Sequence, residues 1–297
     1  MAGRITQLIS IIFCSILFAE GSYEVLMIPK NGRTLALSNS GAASNSVFLS
    51  SNPASLQFNE EQYLISLSRI PSGMYFQSLQ SSRRLLKGVA TGRISLIHYG
   101  KLIDSRTEKT STAFDLMVET AWKTEIKEIV SAGFTLGYLN SVLADYSSQV
   151  IFADVGFRSR LFRKRLGVGI SVENFGSVLQ PYTNYREPLP FLVRIAGYYK
   201  PVYFPAVILL DWTKIMDHGN THLAGGLEFT PRGKVTLRLG LSSHRNNFTT
   251  GDFYSDLTMG FSGGIGLELK RMNLDIGVLN LGPAGYMAGI TIMRKMD

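Results

Sequence analysis

Charged side chains that recur at two-residue spacing are the groups in this chain most able to do chemistry. In FDLMVETAW, residues 114–122, Asp115 and Glu119 share one side of an extended chain, whereas Leu116 and Val118 share the other, because side chains alternate along a strand. The same alternation assigns further charged side chains to such a face: Asp154, Arg158, Glu173, Arg194 and Arg238. Groups of both signs can pair and stiffen a narrow interior, which we favour, or they can line a conducting pore.

Two short motifs match known chemistry only in part. GFSGG, residues 260–264, fits the G-x-S-x-G nucleophile elbow, but Ser262 lies in an alternating strand pattern and no histidine follows His244. HGNTH places His218 and His222 four residues apart, but the glycine and asparagine between them indicate a turn rather than a helix. We therefore expect no catalytic residue, no metal and no cofactor, and we interpret the chain as a non-enzyme.

Composition narrows the class of protein. The 297 residues are 45% hydrophobic and 18% charged, with a mean hydropathy of +0.11. This is too polar for a bundle of membrane helices and rather apolar for a soluble protein. The net charge is +8, but the basic residues do not form one stripe with interleaved aromatic residues, so we expect no nucleic-acid partner.

The first residues have the pattern of a secretory signal. Arg4 precedes an apolar run that ends at Phe18 and is followed by small residues, and the run is shorter than a membrane-spanning helix needs. We assign residues 1–21 to a signal peptide, 22–61 to an N-terminal periplasmic or plug segment and 62–297 to a transmembrane barrel. The single cysteine, Cys14, falls inside the signal, so the mature chain contains no disulfide.

Alternating segments recur along the rest of the chain and predict about 14 strands. Examples are 74–79, 112–122, 166–174 and 256–269, each with one apolar face and one face of small or polar residues. In a soluble sandwich the polar face meets water, whereas in an outer-membrane barrel the apolar face meets lipid and the other lines the lumen. The predicted fold class is all-β, an outer-membrane barrel of about 14 antiparallel strands with a short N-terminal plug segment.

Connection lengths separate the barrel from the sandwich. After the third predicted strand, long connections such as 101–111, 141–147 and 175–188 alternate with short ones such as 123–125 and 270–271. Barrels of the bacterial outer membrane have short periplasmic turns and longer external loops. Basic residues concentrate in the short turns, where solvated turn charge, anionic lipid headgroups and an acidic periplasmic partner are all possible explanations.

The segment GAASNSVFLSSNPASLQF, residues 41–58, resembles the one before the first strand in FadL-like outer-membrane barrels and their PorV/PorQ relatives. The recurring motif is carried here by four residues: Asn52, Pro53, Ala54 and Leu56. Pro53 restricts its own φ and biases the preceding residue toward an extended conformation, as expected for a turn that enters a barrel. In those families the segment lies in or across the periplasmic mouth, so the resemblance implies a plug.

A second segment, YTNYREPLPFLVRIAGYY at residues 182–199, resembles the PorQ branch. The resemblance implies an external loop that binds a partner, with these contact residues: Tyr182, Tyr185, Arg186, Glu187, Pro188 and Pro190. It also implies a scaffold in type IX protein secretion and cell-surface attachment, located in the outer membrane of a Gram-negative-type bacterium. Its expected partners are outer-membrane lipid or lipopolysaccharide and other secretion or attachment proteins.

Two alternatives to the scaffold remain open: a FadL-like channel for hydrophobic small molecules, or a PorV-like shuttle for cargo proteins. A channel needs an apolar pocket in the lumen. The alternating pattern instead predicts glycine, serine and paired charge on the inward face, and on this ground we interpret the protein as a scaffold.

Overall fold

The computed structural model describes residues 23–58, 61–103, 110–127, 129–216, 219–231, 233–243 and 258–295. The predicted signal peptide, His218 and the first two residues of the predicted strand 256–269 lie outside this part of the chain. Within it, no helix has both the length and the apolar character needed to cross a bilayer.

A single antiparallel sheet closes on itself to form the barrel, which confirms the predicted fold class. Its strands are β1 (Gln62–Ile70), β2 (Met74–Leu85), β3 (Gly88–Ile103), β4 (Thr110–Lys127), β5 (Val130–Leu143), β6 (Tyr146–Leu161), β7 (Leu166–Gln180), β8 (Leu192–Tyr199), β9 (Ala206–Ile215), β10 (Thr221–Phe229), β11 (Val235–Ser242), β12 (Phe261–Glu268), β13 (Met272–Asn280) and β14 (Tyr286–Lys295). Each strand pairs with its neighbours in sequence. β1 pairs with β14, from Gln62 opposite Lys295 to Arg69 opposite Ala288, so no edge is left unpaired.

Alternation along each strand separates an outer surface from an interior. In β1, Leu64 and Ser66 are buried, whereas Tyr63 and Ile65 are exposed. The same division holds in most strands, and the exposed positions are largely leucine, isoleucine, valine and aromatic residues. An apolar outer surface around a closed barrel is the surface that lipid covers.

The barrel wall is higher on one side than on the other. Strands β2 to β7 have 12 to 18 residues, whereas β8 to β14 have 8 to 10. The length of β8 to β14 is close to the 9–11 residues that a membrane-spanning strand needs. We call the end where β1 begins and β14 ends the terminal end. The opposite end, which has the long connections 181–191 and 243–260, is the loop end.

Several predicted connections are wrong in length. The predicted long loop 141–147 is a turn of residues 144–145, because β5 and β6 stay paired from Val130 opposite Ser159 to Leu143 opposite Tyr146. The predicted strand 74–79 extends to Leu85. Polar residues usually indicate loops, but Ser141 and Ser148 are buried and hydrogen-bonded inside the barrel, so the ladder continues through them.

The predicted strand 256–269 is too long at its start. β12 begins at Phe261, and the described residues before it form a turn that contains Gly260 at φ +77°. Met259, expected on the lipid side, is buried against Gly282 of the β13–β14 connection. Residues 258–260 continue the apolar and polar alternation of β12 in the sequence, but in the structure they belong to the connection before this strand.

Residues 23–58 lie inside the barrel, and we call them the plug. The plug contains one helix, α1 (Gly32–Ala36), whose N-cap is Asn31. The Asn31 side chain accepts from the Thr34 N–H at 2.9 Å, and the Thr34 hydroxyl accepts from the Asn31 N–H at 3.3 Å. This capping box lets a helix of only five residues form. A short 3₁₀ turn follows at Pro53–Ser55.

Candidate functional site: a plugged lumen

The plug runs through the lumen from the loop end to the terminal end. Near the loop end, the Tyr23 hydroxyl lies 2.7 Å from the Ser148 hydroxyl, and the Tyr23 ring stacks on Tyr182 of the long loop at 6.3 Å. At the terminal end, Asn52 donates to the carbonyl oxygen of Phe157 at 3.2 Å. The resemblance implied that residues 41–58 form a plug at the periplasmic mouth. In the structure the plug, residues 23–58, also extends along the lumen.

Glycines on the inward faces of β11 to β14 make room for α1. A Cβ on Gly277 would lie 2.8 Å from the Ala36 nitrogen and would overlap the carbonyl oxygen of Gly32. A Cβ on Gly264 would overlap the Ala36 methyl group, and one on Gly240 would overlap the Leu37 backbone. These glycines permit close backbone approach. The sequence signal was visible as small residues on the second face of each strand, but nothing in it named α1 as the occupant.

The turn at 52–56 fits against glycines of β5 and β6. The Asn52 side chain accepts from the Ala54 N–H at 2.9 Å and is 1% exposed. A Cβ on Gly133 would lie 2.7 Å from the Pro53 carbonyl carbon. Ala54 and Leu56 are also buried, and Leu56 forms an isolated bridge with Ser46. The four motif residues thus form a turn that closes the terminal end of the lumen.

Replacing Asn52 with aspartate should weaken this turn. The carboxylate keeps the acceptor for Ala54 but loses the donor to the Phe157 carbonyl, and it buries an unpaired charge in place of a neutral amide. We expect a loss of about 1–3 kcal/mol in the free energy of unfolding. Urea unfolding in lipid vesicles measures it, with Asn184→Asp at an exposed position of the loop 181–191 as the control. Equal midpoints for both variants would contradict the role of this amide.

Glu119 on β4 forms one ion pair within the wall and one with the plug. Its carboxylate accepts from Arg93 of β3 at 2.7 and 2.8 Å and from Lys30 of the plug at 3.2 Å. Arg93 also donates to the carbonyl oxygen of Leu49 in the plug at 2.7 Å. The charges are buried and compensate each other. The Lys30 and Leu49 contacts exist only while the plug is in place, whereas the pair of Arg93 with Glu119 belongs to the wall.

Glu228 on β10 repeats the arrangement on the other side of the lumen. It accepts from Arg33 of α1 at 2.7 and 2.9 Å and from Arg238 of β11 at 2.8 Å. Arg238 also pairs with Asp275 of β13. The lumen therefore holds two wall glutamates, each bound to one plug cation and one wall arginine. Sequence analysis singled out Glu119 and Arg238 but missed Lys30, Arg33 and Glu228.

Arg194 and Asp211 hold the middle of the plug. Arg194 donates to Glu173 at 2.8 Å and to the carbonyl oxygen of Asn39 at 3.3 Å. Asp211, fully buried, accepts from the N–H groups of Gly41 and Ala42, both at 2.9 Å. Arg194 also lies 3.7 Å from Asp211. The backbone of the plug is thus bound through its own polar groups as well as its side chains.

Three of the predicted inward charges have no oppositely charged partner among the described residues. Asp115 accepts from Ser141 and from the Tyr99 hydroxyl, the latter at 2.6 Å. Asp154 accepts from the Asn174 N–H at 2.7 Å. Arg158 donates to Asn45 of the plug at 2.7 Å. All seven charged side chains predicted to face inward are buried: Asp115, Glu119, Asp154, Arg158, Glu173, Arg194 and Arg238.

The loop-end half of the lumen is apolar, which corrects the expected inward face of glycine, serine and charge. Buried wall residues form one hydrophobic cluster there: Ile70, Met74, Phe76, Ile97, Met117, Leu139, Val150, Phe152, Val178, Leu279 and Met287. The plug contributes Tyr23, Val25 and Leu26 to the same cluster. Most of the small and charged inward residues behind that expectation lie in the terminal half, whereas Asp115 lies among the apolar residues, opposite Ile97. Single-strand patterns do not reveal how the inward residues of neighbouring strands combine at one height.

A cavity of about 50 Å³ separates the apolar half from the charged half. Its lining is mainly polar and includes Lys30, Asn39, Glu119, Asp154 and Arg194. This volume is far below the roughly 300 Å³ at which small-molecule pockets begin. This cavity therefore does not admit a small molecule between the plug and the wall.

The long loop 181–191 is partly packed and partly exposed. Tyr182 donates to Ser141, and burial raises the pKa of the Tyr182 hydroxyl to about 12, so it stays protonated at neutral pH. The Pro190 carbonyl oxygen accepts from Asn174 at 3.0 Å. Tyr185, Arg186 and Pro188 are exposed, whereas Glu187 is half-buried. The predicted contact residues thus divide into those that anchor the loop and those that face outward.

The motifs considered for catalysis and metal binding have structural partners. The Ser262 hydroxyl donates to the Ala36 carbonyl oxygen at 2.9 Å and lies 2.8 Å from the Ser38 hydroxyl, so it holds the end of α1. His222 is the second residue of β10. Within the described ranges, no three histidine, cysteine, aspartate or glutamate side chains form a group that could hold a metal ion.

No protein-family model matches the chain, and no curated protein matches it. Its backbone is similar to solved structures of outer-membrane barrels. The toluene transporter TodX of Pseudomonas putida has a TM-score of 0.59 at 10% identity, over 89% of this chain and 96% of that one. The toluene transporter TbuX of Ralstonia pickettii has 0.60 at 10%, over 90% and 98%. A Pseudomonas aeruginosa FadL homologue has 0.60 at 10%, over 91% and 99%.

The closed sheet, its apolar outer surface and these neighbours define a 14-stranded outer-membrane β-barrel with an internal plug. The predicted location in the outer membrane of a Gram-negative-type bacterium is confirmed. The neighbours support the FadL-like part of the resemblance, whereas the PorQ-like part stays a prediction. The terminal end contains the start of β1, the end of β14 and the shorter turns. In barrels of the bacterial outer membrane these features face the periplasm, so the loop end faces outward.

Proposed function

We propose that the protein is a channel for apolar small molecules and that the plug is its gate. The observation that carries this proposal is the apolar loop-end half of the lumen, which the plug residues Tyr23, Val25 and Leu26 occupy. The wall residues of this cluster offer an apolar surface to a compound that takes the place of the plug side chains. An apolar compound entering from outside would replace these side chains with little loss of contact area.

The neighbours support the class of cargo. TodX and TbuX are toluene transporters, and a further similar structure, CymD, is a monoaromatic hydrocarbon channel. The rings of Tyr23 and Tyr182 stack in the lumen, and an aromatic cargo could form the same contact with Tyr182 once Tyr23 leaves. We therefore expect small aromatic or aliphatic compounds rather than sugars or ions.

Passage to the periplasm requires the charged half of the plug to move. The 50 Å³ cavity does not admit such a cargo, and an apolar molecule offers no partner to Lys30, Arg33 or Arg158. The ion pairs with Glu119 and Glu228 then act as latches of the closed state. The gate is closed by default and opens only when these plug contacts separate.

A disulfide between plug and wall tests the proposal. Ala43 faces Gly169 of β7, and a Cβ on Gly169 would lie 3.4 Å from the Ala43 Cβ, close to the separation in disulfides. Cells that carry Ala43→Cys with Gly169→Cys, in a Cys14→Ser background, are given N-phenylnaphthylamine, an apolar dye that intact outer membranes exclude. The oxidised protein should reduce dye entry to the rate of cells without the barrel, and a reductant should restore it.

The reduced form of the same protein is the matched control for expression and folding. Each single-cysteine variant should allow dye entry under both oxidising and reducing conditions. Equal dye entry with the locked plug, the free plug and no barrel at all would overturn the channel.

A secretion or attachment scaffold is the second candidate, and it includes the PorQ-like and PorV-like roles. It is favoured by the exposed Tyr185 and Arg186 on a loop that Tyr182 and Pro190 anchor to the barrel. Arg186→Ala with Glu187→Ala should then reduce the proteins that co-purify with the tagged barrel, without reducing barrel yield. Unchanged co-purification would leave no support for this candidate.

A further inference from the structure

The periplasmic turns combine exposed apolar side chains with exposed basic ones. In the β6–β7 turn, Phe162 is 75% exposed and is followed by exposed Arg163, Lys164 and Arg165. In the β2–β3 turn, Leu86 is 86% exposed and precedes Lys87. We call the six connections at this end the turn ring: residues 86–87, 128–129, 162–165, 200–205, 230–234 and 269–271.

The pattern repeats around the circumference. Tyr203, 98% exposed, follows Lys200 in the β8–β9 connection. Leu269 is exposed beside Lys270 and Arg271 in the β12–β13 turn. Among the described residues, the turn ring contains no aspartate or glutamate. Five of the six connections contribute basic residues, and the β4–β5 connection, Glu128 and Ile129 in the sequence, contributes none. The positive charge of the ring is therefore spread around the rim rather than confined to one patch.

The loop end lacks this combination. Its described connections contain one basic residue, Arg186, together with Asp145 and Glu187. Acidic side chains near the periplasmic rim, such as Glu125 and Glu268, lie in strands and face basic partners at 2.9 to 3.8 Å. Among the described connections, the excess of basic residues thus lies at the terminal end.

We propose that the turn ring binds anionic phospholipids of the inner leaflet of the outer membrane, such as phosphatidylglycerol. The apolar side chains continue the lipid-covered outer surface, where Tyr199 and Val235 are exposed next to the turns. The basic side chains reach past them to the depth of the lipid phosphates. A protein partner with acidic groups would contact one sector of the rim, whereas a leaflet surrounds it.

Guanidinium and ammonium groups recognise the phosphate, and the apolar neighbours enter the acyl region. Lipopolysaccharide offers phosphates too, but it belongs to the opposite leaflet, beside the loop end. The proposal depends on the orientation of the barrel and not on whether the lumen conducts, so it stands or fails separately from the channel.

Native mass spectrometry of the detergent-purified full chain tests the proposal with equal amounts of dioleoylphosphatidylglycerol and dioleoylphosphatidylcholine. The unaltered protein should retain mainly phosphatidylglycerol. Arg163→Gln with Lys164→Gln and Arg165→Gln should reduce its retention by about tenfold or more, since each basic side chain near a lipid surface contributes measurably to binding.

Two controls separate charge from structure. Arg163→Lys with Lys164→Arg and Arg165→Lys keeps the charge and should retain the lipid, and Arg186→Gln at the loop end should change nothing. Circular dichroism verifies that each variant is a folded barrel. Equal retention of both lipids by the unaltered protein would overturn the proposal, and so would undiminished retention of phosphatidylglycerol by the glutamine variant. In a further sample with added lipopolysaccharide, a glutamine variant that loses lipopolysaccharide but keeps phosphatidylglycerol would also overturn it.

Discussion

Replacing Glu119 with glutamine is expected to destabilise the protein by about 3–5 kcal/mol, because it leaves buried cations without their partner. The Glu119 side chain is 2% exposed, and the Arg93 and Lys30 side chains that it binds are 5% and 12% exposed. A glutamine can keep one hydrogen bond but carries no charge. Arg93 then stays inside the barrel without a negative charge beside it, and its acceptors are the Leu49 carbonyl and at most the glutamine oxygen.

Urea unfolding in lipid vesicles, followed by tryptophan fluorescence, measures the loss. Trp122 lies on the same strand as Glu119, and the chain contains two tryptophans. The matched control is Glu125→Gln, on the same strand. Glu125 also binds two cations, Lys123 and Arg160, but its side chain is 46% exposed.

The control should cost less than about 1 kcal/mol, since solvent screens an exposed ion pair. Arg93→Met combined with Glu119→Gln should cost less than the two single changes added together, because the double variant leaves fewer unpaired charges. Equal effects of Glu119→Gln and Glu125→Gln would contradict the account of Glu119 as a buried latch.

Replacing Gly277 with valine should displace α1 from the wall. The added side chain would overlap the Gly32 carbonyl oxygen and approach the Ala36 nitrogen, and neither backbone group can move without shifting the helix. Overpacking of this kind costs about 1–3 kcal/mol, which corresponds to roughly a ten- to hundredfold change in the population of the undocked plug. The barrel itself should remain closed.

Limited digestion with trypsin measures the displacement. Arg33 is buried in the docked plug, so cleavage after it should become at least about tenfold faster in the variant. If the proposed channel is correct, dye entry should also rise. Gly263→Val on β12 is the control, because its Cβ would have 3.7 Å to the nearest described atom and would not meet the plug. Slow cleavage at Arg33 in both variants would show that the wall glycines do not define the position of the plug.

The sequence predicted the features of the site that depend on residues close together in the chain, and it missed those that join distant residues. The inward positions of Asp115 and Glu119 follow from alternation within one strand, which is a local property. The pairing of Glu228 with Arg33 joins residues 195 positions apart, and no local pattern indicates it. Ser141 and Ser148 suggested a loop because the pattern does not distinguish polar groups that face water from polar groups that face a plug.

The sequence by itself determined the strand-forming segments, the apolar outer surface and the basic periplasmic turns, since these depend on neighbours one to four residues away. Only the tertiary structure decided that residues 23–58 fill the lumen and that its outer half is apolar. The physical reason is closure of the barrel. Side chains from strands far apart in the chain meet at one height only when the register of all fourteen strands is set.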